Sequence, residues 1–323
     1  LAVSSQVDIA DTQHTTQNTQ HTTHNTKHTT QNPQPTTHNT KPTTHNTQHT
    51  THNTQHTTDY KMNILDHIVA DKRKEVDFKK LIIPVSQLEQ SVFFERATVS
   101  LVNKLQHSSS GIIAEHKRRS PSKSVINQNL NVFDVAKGYE DAGVCGISVL
   151  TDGKYFGGSL DDLLLARASC QLPLLRKEFI IDTYQILEAK AYGADVILLI
   201  AAILSKEEIK QFSELAKSLN LDVLLEIHDE EELHKSVMPS LDMIGVNNRN
   251  LKTFEVSLDT SKHLSTLIPN DFIKVSESGI SNIEAIKALQ PYGYQGFLIG
   301  ENFMKTENAG ESASTFIKDL LKY

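Results

Sequence analysis

Tryptophan is absent from the 323 residues, and cysteine occurs only at Cys145 and Cys170. Neither cysteine stands in a Cys-x-x-Cys arrangement, so no disulfide framework or thiolate metal site is predicted and a reducing, cytoplasmic setting is expected. No run of about 18 apolar residues occurs, which leaves no candidate membrane-spanning helix. The N-terminus lacks the basic region and apolar stretch of a secretory signal. An excess of positive charge is missing as well: the formal net charge is −7, which argues against general binding to nucleic acid or to a membrane surface. No G-x-G-x-x-G or Walker-type loop follows any strand-like run, which removes the usual marks of an open nucleotide-binding sheet.

Apolar side chains are also missing from one long stretch. Thr15 to Thr58 is almost wholly Thr, His, Asn and Gln, in a seven-residue repeat starting at Thr15, Thr22, Thr29, Thr36, Thr43 and Thr50. Nothing in it is larger and apolar enough to offset its ordering entropy, so residues 1–61 are expected to be a disordered low-complexity tail. Nine of the fifteen histidines lie in residues 14–58, and a flexible His-rich tract has the ligands for transition metals. A metal-binding or adhesive protein with a passive carrier domain is therefore one reading. The other is a translated simple repeat without a role, with Met62 as the natural start of a protein whose folded part is residues 62–323. Acids and bases balance over residues 1–61, so the whole net charge belongs to that remainder, long enough for a sizeable core.

From Met62 to Ala70 the apolar residues Ile64, Leu65, Ile68 and Val69 have helical spacing, and a looser segment follows around Leu88 to Leu105. A regular alternation then begins. Strand-like runs are predicted at Gly111–Lys117, Val144–Leu150, Leu174–Ile180, Asp195–Ala201, Val223–Ile227, Met243–Asn247, Ile273–Ser276 and Gly296–Ile299. Helical patterns separate them at Val132–Ala142, Leu160–Ala168, Thr183–Tyr192, Lys206–Leu219, Glu230–Val237, Leu258–Leu267 and Asn282–Leu289, with a last one near Ala313–Leu321. Ser159/Asp162, Ser205/Glu208 and Ser281/Glu284 have the S-x-x-D/E spacing of helix starts. Val196 to Ile200 is apolar throughout, as a parallel strand covered on both faces must be. Eight such βα units predict an α/β fold, a (β/α)8 TIM barrel with an N-terminal helical extension.

Barrels of this kind hold their chemistry at the C-terminal ends of the strands. Glu115 and Lys117 end the first run, on the face shared with Ile113, whereas His116 and Arg118 turn away and read as packing or surface residues. Lys177 ends the third run, Glu226 the fifth, Asn247 with Arg249 the sixth, and Glu277 with Ser278 and Gly279 the seventh. Three carboxylates, two lysines, an arginine and an amide on one rim make a candidate catalytic constellation. Ser278 and Gly279, with Gly300 and Glu301 after the eighth run, stand where such barrels hold phosphate on backbone donors, and Ser120 and Ser122 offer hydroxyls nearby. His228 shares the strand face of Glu226, so it is a weaker site candidate. Cys145 reads as core. Asp152 to Gly158 reads as a mobile glycine-rich loop beside the site.

Six segments carry a family resemblance: Ala114 to Ser122, Leu150 to Gly158, Leu175 to Phe179, Leu225 to His228, Ile244 to Leu251, and Ser276 to Ile280. In this order they resemble indole-3-glycerol-phosphate synthase of tryptophan biosynthesis, from Met62 to the C-terminus; the repeat has no counterpart. The resemblance implies a lyase that closes, decarboxylates and dehydrates 1-(2-carboxyphenylamino)-1-deoxyribulose 5-phosphate without cofactor or metal. It implies Lys177 as the leading acid, Lys117 at the substrate carboxylate, Glu226 and Glu115 in proton transfer, and Asn247, Arg249, Glu277 and Ser278 as orienting residues. Ser124 departs from the family's usual glycine after Ser-Pro-Ser-Lys, which bears on the flexibility of that loop. Another phospho-sugar barrel, such as a ketol isomerase, is the alternative. The partner expected is a small phosphorylated substrate, with no nucleic acid and no membrane, in a monomer or weak oligomer.

Overall fold

The computed structural model describes residues 63–121, 123–251 and 253–322. The expected disordered tail, Met62 and Ser122 lie outside the described residues. Eight parallel strands close on themselves in sequence order, β1 (Ile112–His116), β2 (Gly146–Leu150), β3 (Leu174–Lys177), β4 (Val196–Ile200), β5 (Asp222–Ile227), β6 (Met243–Asn247), β7 (Ile273–Glu277) and β8 (Tyr294–Ile299). The ring closes through β8, where Ile113 pairs with Leu298. The predicted barrel is therefore present, with strands shorter than several apolar runs. Phe179 and Ile180 are buried beyond the end of β3, and pairing of β3 with β2 ends at Lys177. Burial extends further along the chain than backbone pairing does.

Strand periodicity sorts the barrel residues into two layers. Ile113, Leu175, Val196, Leu198, Leu224, Met243 and Val275 pack inside the barrel. Ile112, Ala114, Ile147, Ile197, Leu199, Val223 and Ile244 pack outward, under the helices. Continuing the inward parity to the C-terminal ends gives Glu115, Lys177, Glu226, Asn247 and Glu277.

The helices, in chain order, are α1 (Ile64–Ile82), α2 (Val85–Leu88), α3 (Leu101–Gln106), α4 (Val132–Ala142), α5 (Gly153–Phe156), α6 (Leu160–Ser169) and α7 (Thr183–Ala191). They continue with α8 (Lys206–Ser218), α9 (Glu230–Ser236), α10 (Leu258–Ser265), α11 (Ile283–Leu289), α12 (Glu301–Met304) and α13 (Ala309–Leu321). Helix α1 runs well past the expected segment, started by a reciprocal capping box between Asn63 and Asp66. The segment around Leu88 to Leu105 is not one helix. Part of it is tied to the loops at the base of the barrel: Val99 N and Arg96 bond Asp195, and Thr98 bonds the Asn220 carbonyl. Helix α3 then closes the N-terminal mouth, with Leu101 and Leu105 set against Gly146 and Gly296.

Ser159 and Ser205 cap their helices as predicted. The third start is shifted: Asn282 is the cap, accepting from the Ala285 N–H, and Ser281 lies outside it. The box at Ser159 is incomplete for an instructive reason. Asp162 turns its carboxylate to Arg118, which donates to both oxygens at 2.5 and 2.8 Å. Arg118 thus packs away from the interior, as its strand parity predicts.

Candidate active site

The C-terminal mouth holds a cavity of about 370 Å³. One wall is apolar, formed by Ile64, Leu65 and Ile68 of α1 with Phe156 and Phe179. The charged strand ends Glu115, Lys177, Glu226 and Glu277 also line the cavity. Lys177 lies among acids: its Nζ contacts Glu277 Oε2 directly and is 3.6 Å from Glu226 Oε2. Burial opposes its charge, yet Glu277, Glu226 and Glu115 outweigh that cost and raise its pKa well above the usual lysine range. Lys117 stands just past β1, 2.5 Å from Glu115 Oε1. Asn247 Nδ2 donates to Glu226 Oε1 at 3.1 Å.

The three carboxylates are not equivalent. Burial would raise Glu115, but Lys117 and Lys177 hold it below the usual carboxylate range. Burial works the same way on Glu226, where Lys177 and His228 prevail and lower it. Glu277 goes the other way. Burial, together with Glu226 and Glu115, pushes it up to about 7 against the pull of Lys177. Its Oε1 is buried without a hydrogen-bond partner. One site thus contains two carboxylates kept ionised and one poised near neutrality, a pattern suited to moving protons at neutral pH.

The remaining predicted residues are also at this mouth. Ser120, Arg249, Ser278, Gly279, Gly300 and Glu301 all line the cavity. Ser278 (φ 66°) and Gly279 (φ 78°) are consecutive residues of positive φ, and the glycine leaves the backbone open to close approach. Gly300 has a different local reason: a Cβ there would lie 2.5 Å from Glu115 Oε1, so the missing side chain makes room for that carboxylate. The Glu301 carboxylate is turned to Lys123 at 2.6 Å. The Arg249 guanidinium reaches the Phe254 carbonyl at 3.3 Å. Asp152 to Gly158, expected as a loop, contains the short helix α5. It is tied to α1 by Lys154 and Tyr155, both on Asp71, and to the β1 loop by Arg119 on the Gly153 and Lys154 carbonyls. Ser124, where the family usually has glycine, is not among the residues with positive φ.

Lys72 is a residue the sequence reading missed. It is 1% exposed, on the buried stripe Ile68, Lys72, Val76 of α1, and pairs with Asp152 at 2.8 Å, Glu178 at 3.1 Å and Glu75 at 2.7 Å. Burial disfavours its charge, but Glu178 and Asp152 overcome that and raise its pKa. This ion cluster pins α1, and with it the apolar wall, to the ends of β2 and β3 beside Lys177. A lysine four residues after Ile68 and four before Val76 was the available signal.

Among the described residues no group of three or more His, Cys, Asp or Glu side chains is arranged to hold a metal ion. No helix among them is long and apolar enough to cross a membrane.

In fold, the chain is similar to 3-hexulose-6-phosphate synthase from Salmonella typhimurium, with a TM-score of 0.53 at 13% identity over 66% of this chain and 99% of that one. In sequence it is similar to proteins named indole-3-glycerol phosphate synthase. The protein of that name from Bacteroides thetaiotaomicron is 48% identical over 258 residues, 80% of this chain and 99% of that protein. The one from Polaromonas sp. is 43% identical over 252 residues, 77% of this chain and 96% of the relative. The family model described as Indole-3-glycerol phosphate synthase matches residues 65–316, the span that forms α1, the barrel and most of α13. The chain belongs to the indole-3-glycerol phosphate synthase family.

Proposed function

We propose that the protein is a carbon–carbon lyase that converts 1-(2-carboxyphenylamino)-1-deoxyribulose 5-phosphate to indole-3-glycerol phosphate, releasing CO2 and water. The observation that carries this reading is Lys177, a buried ammonium held between Glu277 and Glu226 in a cavity lined by both apolar and charged side chains. An anilino ring fits the apolar wall, and the phosphate fits the left-handed turn at Ser278 and Gly279.

Ring closure needs the aromatic carbon bearing the carboxylate to attack the ketone while an acid protonates the carbonyl oxygen. Lys177 donates that proton. Lys117, steadied by Glu115, receives the substrate carboxylate and keeps it in place until it leaves as CO2, which restores the aromatic ring. The new hydroxyl departs as water with a proton from a lysine. Glu226 takes the proton from the methylene carbon next to nitrogen, forming the double bond of the indole. Asn247 and Glu277 hold Glu226 and Lys177 in register, and Arg249 and Ser278 orient the substrate.

Mixing the protein with this substrate and excess chelator is expected to give growing indole fluorescence. The same rate is expected from protein beginning at Met62, because the described side chains lining the cavity run from Ile64 to Lys305. A folded protein that binds the substrate without forming product overturns the reading.

A further inference from the structure

His228 directly follows β5, and 13% of its side chain is exposed. Its backbone N–H and its Nδ1 both reach Glu232 Oε2 on α9, at 2.8 and 3.1 Å. An ionised carboxylate only accepts hydrogen bonds, so Nδ1 carries the hydrogen. That assigns the other nitrogen: Nε2 is buried, has no hydrogen-bond partner, and lies 3.5 Å from Glu226 Oε1. A bare lone pair facing a buried carboxylate oxygen is repulsive. A proton on Nε2 makes the same juxtaposition attractive. His228 is not among the side chains lining the cavity, so any effect on chemistry passes through Glu226.

We propose that His228, held by Glu232, is a positioning residue that keeps Glu226 ionised and aimed by presenting a protonated Nε2 to its Oε1. The proposal rests on the reading of Glu226 as the base. Asn247 Nδ2 donates to the same oxygen from β6 at 3.1 Å, so Oε1 faces both the amide and the imidazole while Oε2 is left toward Lys177. The charged groups facing the imidazole are Glu226 on its own strand, Glu232 on α9 and Glu277 on β7. Burial disfavours the charged ring, and these acids outweigh it, raising the pKa above 6.5. The imidazolium therefore persists to higher pH than in a free ring and is lost as the medium becomes alkaline.

The test compares the pH dependence of kcat and KM for the wild-type chain, His228→Asn and Glu232→Gln. Without the imidazolium Glu226 binds its proton more tightly, so the asparagine variant should lose about tenfold or more in kcat near pH 6. The deficit should narrow as pH rises and the wild-type ring becomes neutral, with KM changing little. Glu232→Gln keeps an acceptor for Nδ1 but removes its charge, and should show a weaker version of the same pattern. It carries the test if the asparagine variant does not fold. A deficit equal at all pH values means that His228 is merely structural, and unchanged kinetics in both variants mean it is dispensable; either overturns the proposal. Wild-type protein that makes no product fails the underlying assignment, and the proposal with it.

Discussion

Gly245 and Glu277 occupy one volume inside the barrel: a Cβ on Gly245 would fall 2.3 Å from Glu277 Oε1. Gly245 is an inward residue of β6, two before Asn247, which pairs with Glu277 on β7, and its missing side chain is the space that holds the carboxylate. Gly300 and Glu115 repeat the arrangement across the mouth. Two of the three acids therefore depend on a neighbouring strand's lack of a side chain.

Gly245→Ala should consequently act on chemistry more than on folding. The methyl group displaces the Glu277 carboxylate, and Lys177 moves with it. We expect kcat to fall about 10- to 100-fold, with a stability loss of about 1–3 kcal/mol from overpacking. Steady-state kinetics and urea denaturation of the same variant check both parts; wild-type kcat would show that Glu277 has slack.

Lys177→Ala should remove most turnover, about 10²- to 10⁴-fold, while substrate still binds. Titration of the variant with substrate, followed by fluorescence, separates the two effects. Full activity would overturn the assignment of Lys177 as the acid.

Glu277→Gln links turnover to stability. A carboxyl raised to about 7 in the folded protein, against an ordinary value near 4.5, binds its proton more tightly when folded. Its contribution to stability is complete below pH 4.5 and is lost as pH rises through about 7. Glutamine does not titrate, so the melting temperature of the variant relative to wild type should rise between about pH 5 and pH 8. Turnover should fall, because Lys177 loses its contacting partner. Thermal melts across this range supply the check, and a difference that does not change with pH would contradict the raised value.

Lys72→Met leaves Asp152 and Glu178 buried without their shared cation. Breaking such a cluster from one side should cost about 3–5 kcal/mol. Because α1 carries Ile64, Leu65 and Ile68 into the cavity, KM should rise as well. Denaturant unfolding and KM measured together test whether this ion cluster holds the wall of the site.

Sequence alone determined the barrel and the composition of its rim. Parallel strands buried on both faces must be apolar runs, so Val196 to Ile200 and its counterparts were legible, as were the βα alternation and the capping signals. Strand parity then selected Glu115, Lys177, Glu226, Asn247 and Glu277, because alternate side chains share a face whatever the strand packs against. Tertiary structure decided what local pattern does not encode. The split in carboxylate pKa depends on how Lys177 divides itself among three strands, and the spaces for Glu277 and Glu115 lie on neighbouring strands. The cap moved from Ser281 to Asn282, and Asp162 left its own helix start for Arg118, because partners distant in sequence competed for those groups. Lys72 stood in plain sight on an apolar stripe, but its counter-charges, Asp152 and Glu178, come from strand ends some eighty and a hundred residues away. Only closure of the barrel brings them to one helix.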